Sequence, residues 1–286
     1  TDKILGGAAT FIGLAASQFD IDGAIVSVVG GDFPKEYIDM LEDKGLDISS
    51  LEVVENGKTF FWSGKYHNDM NSRDTLTTEL NVLADFKPVV PESYKDAKVV
   101  LLGNLHPLVQ LGVIEQMKAK PDLVILDTMN FWMDSALDDL IKVIEKVDVI
   151  TINDEEARQL TGEYSLVVAA KKIMTMGPEF VVIKKGEHGA LLFFEDEMFY
   201  APALPLKEVF DPTGAGDTFA GGFAGYLVKT GDYSFENLKK AVIYGSALAS
   251  FSVEKFGTER MINLKKDELY ERIVQFKNLT QFDLNN

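Results

Sequence analysis

The sequence predicts an α/β protein with a doubly wound, mostly parallel sheet flanked by helices and with a small β lid. Short runs of apolar, β-branched residues alternate with segments of helical periodicity, which is the pattern of parallel strands joined by crossover helices. Hydrophobic residues make up 46% of the 286-residue chain, which is enough for a large core. No repeat or flexible linker interrupts the pattern, so we expect a single domain over residues 1–286.

The predicted strands of this sheet end in polar residues. In chain order, strands are predicted over 24–29, 99–104, 123–127, 147–153 and 180–186. Asn104, Asp127, Asn153 and Lys184 lie at the carboxyl ends of four of these strands. Ligands of doubly wound sheets bind beyond the carboxyl ends of the strands. These side chains are therefore expected to lie along one ligand-binding edge.

Helices are predicted between the strands, with one interruption. Helical patterns cover 8–19, 34–44, 108–119, 134–146 and 155–176, and most of the chain after residue 211. Residues 51–80 break this rhythm, because the β-prone, aromatic run 59–66 has no helix after it. We expect an antiparallel appendage there that acts as a lid.

Composition limits the partners of the protein. The formal net charge is −17, with 45 acidic against 28 basic residues, which argues against a nucleic-acid or anionic-membrane surface. Cysteine is absent, and no apolar run approaches the ~18 residues of a membrane span. We therefore expect a soluble, cytoplasmic protein with a small-molecule substrate. The chain reaches a glycine pair within a few residues of Thr1, and we expect natural residues to precede it.

The segment 211–223, DPTGAGDTFAGGF, carries the strongest chemical information. Small residues at 214–216 let backbone N–H groups converge, and a helix that starts there adds the positive end of its dipole. This pattern predicts an anion hole, in which Asp217 makes sense as a base beside a bound phosphate. The alternative is that the glycines serve packing alone and Asp217 is a helix N-terminal charge. The P-loop and dinucleotide-binding glycine patterns both fail here.

This segment resembles the second signature of the PfkB, or ribokinase-like, family of carbohydrate and nucleoside kinases. Further family elements occur in order: the glycine pair Gly6-Gly7, the turn 29–32, the Asn-x-x-Glu motif at 153–156 and the glycine turn 184–190. The resemblance covers nearly the whole chain. It implies ATP-dependent phosphorylation of a hydroxyl group by a large α/β domain with a small β lid.

The resemblance also implies roles for individual residues. Asp217 takes the proton of the acceptor hydroxyl, and the amides of Gly214, Ala215 and Gly216 stabilise the transferring phosphoryl group. The implied nucleotide-binding residues are Lys184, Gly186, Gly189, Thr213, Ala249, Val253 and Gly257. The acceptor side is expected to comprise Gly6, Gly7, Phe60, Trp62 and Asn104 together with Asp217.

Two cation sites are expected. Asn153 and Glu156 share a helix face at i, i+3, and oxygen ligands of this kind suit Mg²⁺ held through water. The alternative is that the same two residues form a helix cap. By resemblance to some family members, Asp211 and Thr213 are expected to lie beside a monovalent cation such as K⁺.

Departures from the family pattern leave the acceptor open. Lys184 stands where the family usually has threonine. Its side chain is expected either to reach a nucleotide phosphate or to be solvated. Phe11 stands where many members have a sugar-binding asparagine. The family's first strand is also not in this sequence. Our hypothesis is a kinase for a primary hydroxyl of a sugar.

The first alternative is a nucleoside kinase, with its base against lid aromatics such as Phe60 and Trp62. The second is a catalytically silent sugar sensor, and a nucleotide-dependent dehydrogenase is the weakest. Exposed lid aromatics also suggest a homodimer.

Overall fold

The computed structural model describes residues 3–68, 70 and 73–281. The strands are β1 (Gly23–Gly30), β2 (Leu46–Val54), β3 (Phe61–Tyr66), β4 (Arg73–Glu79), β5 (Val99–Leu102), β6 (Leu123–Asp127), β7 (Val149–Asn153), β8 (Phe180–Lys184), β9 (Ala190–Phe194) and β10 (Glu197–Ala201). The helices are α1 (Ala8–Ala16), α2 (Lys35–Asp43), α3 (Pro107–Ile114), α4 (Asn130–Ser135), α5 (Leu137–Ile144), α6 (Asp154–Thr161), α7 (Leu166–Met174), α8 (Ala215–Thr230), α9 (Phe235–Ser252), α10 (Glu259–Ile262) and α11 (Lys266–Thr280).

The central sheet has six strands in the order β10-β9-β8-β7-β6-β5. Strands β5 to β8 are parallel, and β9 and β10 extend the sheet as an antiparallel hairpin. The mostly parallel α/β architecture confirms the predicted fold class. The hairpin β9–β10 was not predicted, because its residues follow the glycine turn after β8 without a helix between them.

Both faces of the central sheet are covered. Val124 and Leu126 of β6 pack into one cluster with Leu140 of α5, while Leu123 and Ile125 of the same strand pack into another cluster with α8 and α9. Successive strand residues point to opposite faces, so both faces of a parallel strand must be apolar when helices cover both. This explains why β6 reads as a continuous hydrophobic run.

Some helix boundaries differ from the prediction. The helix predicted over 155–176 is two helices, because Gly162 adopts a left-handed conformation with φ of 72° and ends α6. The helix predicted over 134–146 is also divided, at Ala136, and the one predicted over 108–119 ends at Ile114. Hydrophobic periodicity continues across these breaks, which is why it does not reveal them.

Two smaller sheets lie outside the central one. The strand predicted over 24–29 is β1, and it pairs in parallel with β2 instead of joining the central sheet, so that part of the prediction was wrong. Strands β3 and β4 pair as an antiparallel hairpin. The hairpin lies within 51–80, the range of the predicted antiparallel appendage. We call β3–β4 the lid hairpin. Its prediction rests on aromatic, β-prone residues without a following helix.

Helix α8 is held between α1 and α9 at backbone contact distance. A Cβ atom at Gly221 would lie 2.4 Å from the carbonyl oxygen of Ile12 on α1, and one at Gly222 would lie 3.1 Å from the Cα of Gly245 on α9. Only glycine permits this approach. The glycines after Asp217, which are poor helix formers, therefore fix the position of the helix that carries it.

Candidate active site

A long cleft runs past the carboxyl ends of the central strands and beneath the lid hairpin. Every residue that the sequence assigned to a site lines this cleft. The set comprises Gly6, Gly7, Phe60, Trp62, Asn104, Asn153, Glu156, Lys184, Gly186, Gly189, Asp211, Thr213, Gly214, Ala215, Gly216, Asp217, Ala249, Val253 and Gly257. The structure thus brings segments from opposite ends of the chain to one place.

The residues of the predicted anion hole lie at the N-terminus of α8. Gly214 is the N-cap in a left-handed conformation with φ of 76°, and the first-turn amides of a helix lack intrahelical partners. The amide of Ala215 donates to the carbonyl of Pro212 at 3.2 Å, so Gly214 and Gly216 offer the amides most open to a ligand.

Phe11 supports this turn from below. Its ring is buried, and a Cβ at Gly214 would lie 2.3 Å from the ring. Phe11 therefore packs under the anion hole instead of offering a polar contact to a substrate, which accounts for an apolar residue at that position.

Asp217 lies in the first turn of α8 and faces the cleft. Burial raises the pKa of its carboxyl well above the usual range, and the nearby charge of Asp127 raises it further. Lys184 and Arg73 oppose this rise. A carboxylate whose pKa approaches neutrality is suited to accept a proton, because general bases work best near the operating pH.

Lys184 is buried, not solvated. Its Nζ atom lies 2.7 Å from Oδ1 of Asp127, and the side chains of the pair are 16% and 6% exposed. Burial disfavours the charge of Lys184, but Asp127, Glu156 and Asp217 outweigh this effect and raise its pKa, so the side chain stays protonated. A permanent cation therefore lies at the carboxyl end of β8.

Asn153 and Glu156 form a helix cap, the arrangement expected as the alternative to a metal site. Asn153 Oδ1 accepts from the Glu156 amide at 2.8 Å, and Glu156 Oε2 accepts from the Asn153 amide at 2.7 Å. Burial raises the pKa of Glu156 to about 7, an effect that Lys184 opposes. A buried carboxylate with one oxygen outside the cap fits a hydrated Mg²⁺, whereas the side-chain carbonyl of Asn153 is already engaged. Within the described ranges, no cluster of three acidic, histidine or cysteine side chains suits direct metal binding.

Asp211 ties the anion-hole turn to the 253–257 loop. Its Oδ1 accepts from the amide of Thr213 at 3.0 Å, and its Oδ2 accepts from the amide of Gly257 at 2.9 Å. The hydroxyl of Thr213 donates to the hydroxyl of Tyr66 on the lid hairpin at 3.2 Å. The turn is therefore connected both to the expected nucleotide side and to the lid.

Three aromatic residues that were not predicted from the sequence lie near Asn104, on the expected acceptor side of the cleft. Trp132 donates its indole N–H to Oδ1 of Asn104 at 2.9 Å. The rings of His106 and Phe131 meet Trp132 edge to face, with centroids 5.1 and 4.8 Å away. We call His106, Phe131 and Trp132 the aromatic cluster. It lines the cleft, and Phe131 is 51% exposed.

The lid residue Trp62 makes contacts within the lid hairpin itself. The indole N–H of Trp62 donates to the hydroxyl of Thr75 at 3.3 Å, and the guanidinium of Arg73 lies 5.8 Å from the Trp62 ring centroid. Trp62 still lines the cleft, as Phe60 does.

The sequence did contain one signal for the aromatic cluster, since Phe131-Trp132 follows the carboxyl end of β6 within a few residues.

No helix in the part of the chain that the structure describes has the length and hydropathy needed to cross a bilayer.

Comparison with known proteins gives consistent matches. The family model described as pfkB family carbohydrate kinase matches residues 1–265. The chain is 35% identical to a cytidine kinase of Thermococcus kodakarensis, over 77% of this chain and 80% of that protein. It is 28% identical to a nucleoside kinase of Methanothermobacter thermautotrophicus, over 90% of this chain and 81% of the relative.

Solved structures share the fold over most of the chain. The Methanocaldococcus jannaschii nucleoside kinase, a member of the ribokinase family, superposes with a TM-score of 0.74 at 24% identity, covering 94% of this chain and 86% of that one. A putative ribokinase II from E. coli, in complex with ATP and Mg²⁺, gives a TM-score of 0.79 at 21% identity, covering 94% of this chain and 89% of that one.

Proposed function

The chain belongs to the pfkB family of carbohydrate kinases, and from this premise we propose that it is an ATP-dependent nucleoside kinase. The observation that carries the kinase chemistry is the carboxylate of Asp217 beside the anion hole of Gly214 and Gly216, in a cleft shared with the glycine turn after β8. The 35% identity to a cytidine kinase favours a nucleoside over the sugar of our first hypothesis.

The residues divide the reaction between them. Asp217 accepts the proton of the attacking hydroxyl, and the amides of Gly214 and Gly216 stabilise the charge of the transferring phosphoryl group. Phosphoryl transfer depends on alignment and charge neutralisation more than on covalent catalysis, so these groups supply what the step needs. The close contacts of α8 with α1 and α9 fix the position of the helix that carries both the base and the anion hole.

The nucleotide would occupy the side of the cleft formed by the turn 186–189 and by α9. Gly186 and Gly189 let ATP approach the backbone, while Ala249 and Val253 offer apolar contacts to its base. Lys184 supplies positive charge for the phosphates. Glu156 would hold Mg²⁺ through water, and the ion would neutralise phosphate charge when bound. Because the reaction needs ATP, we place the enzyme in the cytoplasm.

We also propose that K⁺ binds beside Asp211 and Thr213. Each oxygen of Asp211 accepts from one backbone amide and has a further lone pair with which to contact a cation. Replacement of K⁺ by Na⁺ in the assay below tests this site, since an unchanged rate would contradict it.

The nucleoside assignment predicts a clear order of acceptors. Cytidine, adenosine, uridine, ribose and fructose are compared by ADP release. The best nucleoside should exceed ribose in kcat/KM by about 5- to 150-fold, since stacking a base is worth ~1–3 kcal/mol. A sugar that matches or exceeds every nucleoside would restore the sugar kinase hypothesis. Tight ligand binding without ADP release on any acceptor would favour a sugar sensor.

The aromatic cluster offers a matched test of where the base lies. Phe131→Ala should lower kcat/KM for the nucleoside by about 5-fold or more and leave that for ribose unchanged. Tyr270→Ala is the control, because Tyr270 is an exposed aromatic residue on α11 outside the cleft. Equal losses for both acceptors in Phe131→Ala would contradict a base at this cluster.

The lid hairpin predicts a homodimer. Within the described chain β3 and β4 pair only with each other, and every residue of β4 is exposed, with Leu76 at 66%. A two-stranded hairpin is marginally stable by itself, so a second copy is the simplest support for it. Light scattering of the wild-type protein should give twice the chain mass. Leu76→Glu should give the mass of a monomer. The control Val89→Glu, which changes an exposed apolar residue outside the lid hairpin, should remain a dimer. A monomeric wild-type protein would refute this proposal.

A further inference from the structure

The pair formed by Lys184 and Asp127 spans the central sheet at its ligand-binding edge. Asp127 ends β6 and Lys184 ends β8, and Nζ meets Oδ1 at 2.7 Å across the intervening strand β7. The hydroxyl of Thr151 on β7 donates to the same Oδ1 at 2.8 Å. Gln110 on α3 donates to the main-chain carbonyl of Asp127 at 3.1 Å. Asp127 is therefore held by several elements at once, and it in turn holds the lysine.

The ammonium group of Lys184 lies directly against the anion hole. A Cβ at Gly216 would be 3.2 Å from Nζ, so the cation abuts the first turn of α8. This turn carries Asp217. A side chain at position 216 would crowd the ammonium group, so glycine at this position favours the close approach of the cation.

Charged side chains of both signs surround the base Asp217. Asp217 faces one carboxylate, Asp127, and two cations, Lys184 and Arg73 of the lid hairpin. Lys184 itself faces Asp127, Asp217 and Glu156 of α6. The negative and positive members of the buried pair act on Asp217 in opposite directions, since a like charge favours its protonated form and an opposite charge favours its ionised form.

Resting on the proposed function, we propose that Asp127 is a positioning residue that holds Lys184 against Gly216, and that this buried pair sets the electrostatic environment of the base Asp217. The lysine provides a fixed cation where phosphate charge develops. The aspartate keeps that cation in place and limits how strongly it acts on the base.

The proposal predicts opposite pH shifts for the two halves of the pair. Asp217 must be ionised to accept a proton, so activity falls as the pH drops through its pKa. Lys184→Met removes the opposite charge and should move this acid limb of kcat/KM to higher pH by about one unit. Asp127→Asn removes the like charge and should move the limb to lower pH by a similar amount. The double variant should lie between the two.

Controls separate this role from a general structural one. Lys184→Arg keeps the positive charge, so the acid limb of its kcat/KM–pH profile should lie close to that of the wild type. Lys120→Met is the matched control, because Lys120 pairs with Asp148 at 2.7 Å beside the start of β7, at the opposite end of the sheet. It should leave the limb in place. Thermal unfolding of each variant, measured alongside, identifies loss of folded protein.

A second readout keeps this inference distinct from the kinase proposal. The carboxyl of Asp217, followed by ¹³C NMR in the full chain without substrate, should titrate at higher pH in Lys184→Met and at lower pH in Asp127→Asn. Shifts in one direction for both variants, or none in either, would overturn the role of the pair. If wild-type protein releases no ADP with any acceptor, the kinase proposal fails, and the NMR titration still decides the inference about Asp127 and Lys184.

Discussion

Asp217→Asn is expected to lower kcat by about 10²–10⁴-fold while ATP binding is retained, since general base catalysis contributes an effect of that size. Asparagine has nearly the same shape as aspartate and can occupy the first turn of α8 without steric conflict. It cannot accept a proton from the acceptor hydroxyl. Loss of a negative charge beside the anion hole should leave the affinity for ATP equal or higher.

Single-turnover phosphorylation and calorimetric ATP titration separate the two effects of Asp217→Asn. The control is Asp138→Asn, which removes an exposed carboxylate from the first turn of another helix, α5, outside the cleft. It should leave kcat unchanged. A near-normal kcat for Asp217→Asn would refute the base assignment, and a large loss in Asp138→Asn would show that helix N-terminal charge matters by itself.

Gly214→Ala is the second change with a large expected effect. A methyl group at this position would stand 2.3 Å from the ring of Phe11, and the backbone φ of 76° is unfavourable for any residue with a Cβ atom. The turn must shift, so we expect kcat to fall by about 10²–10³-fold, the loss seen when an oxyanion donor is misplaced. Overpacking should also lower the free energy of unfolding by about 1–3 kcal/mol.

Two further variants isolate the contact that matters in Gly214→Ala. Gly231→Ala lies at the other end of α8 with a φ of 61° and no atom within 4 Å of the added Cβ. It should cost about 1–2 kcal/mol of stability through its backbone alone and leave kcat unchanged. Phe11→Leu combined with Gly214→Ala should recover part of the activity, because the smaller side chain makes room. Equal kcat values for Gly214→Ala and wild type would refute the role of this turn.

Much of this architecture follows from local sequence. The parallel strands and the edge at which Asn104, Asp127, Asn153 and Lys184 end were predictable because each strand is a short apolar run with a polar residue at or just beyond its carboxyl end. The start of α8 after Gly214 was predictable as well, because small residues directly before an apolar-striped helix leave its first amides open at the positive end of the helix dipole. That these amides bind an anion stays a prediction.

Other features depend on which strands become neighbours. The bond between Lys184 and Asp127 crosses β7 and exists only once β6, β7 and β8 are in register. The indole of Trp132 reaches Asn104 from the region after a different strand. No spacing within the chain encodes these distances. From the sequence alone, Lys184 could therefore either contact a phosphate or be solvated, and the aromatic cluster was not identified.

The contact between α1 and α8 limits how this sequence can vary over evolutionary time. Gly7 is the N-cap of α1, and Asp217 is in the first turn of α8. Because the carbonyl of Ile12 occupies the space that a side chain at Gly221 would need, any larger residue at 221 would push the two helices apart. Such a mutation, at a position that does not itself line the cleft, would separate the predicted acceptor site from the predicted base. Lineages that change acceptor should therefore do so through the lid and the aromatic cluster, and leave the α1–α8 crossing untouched.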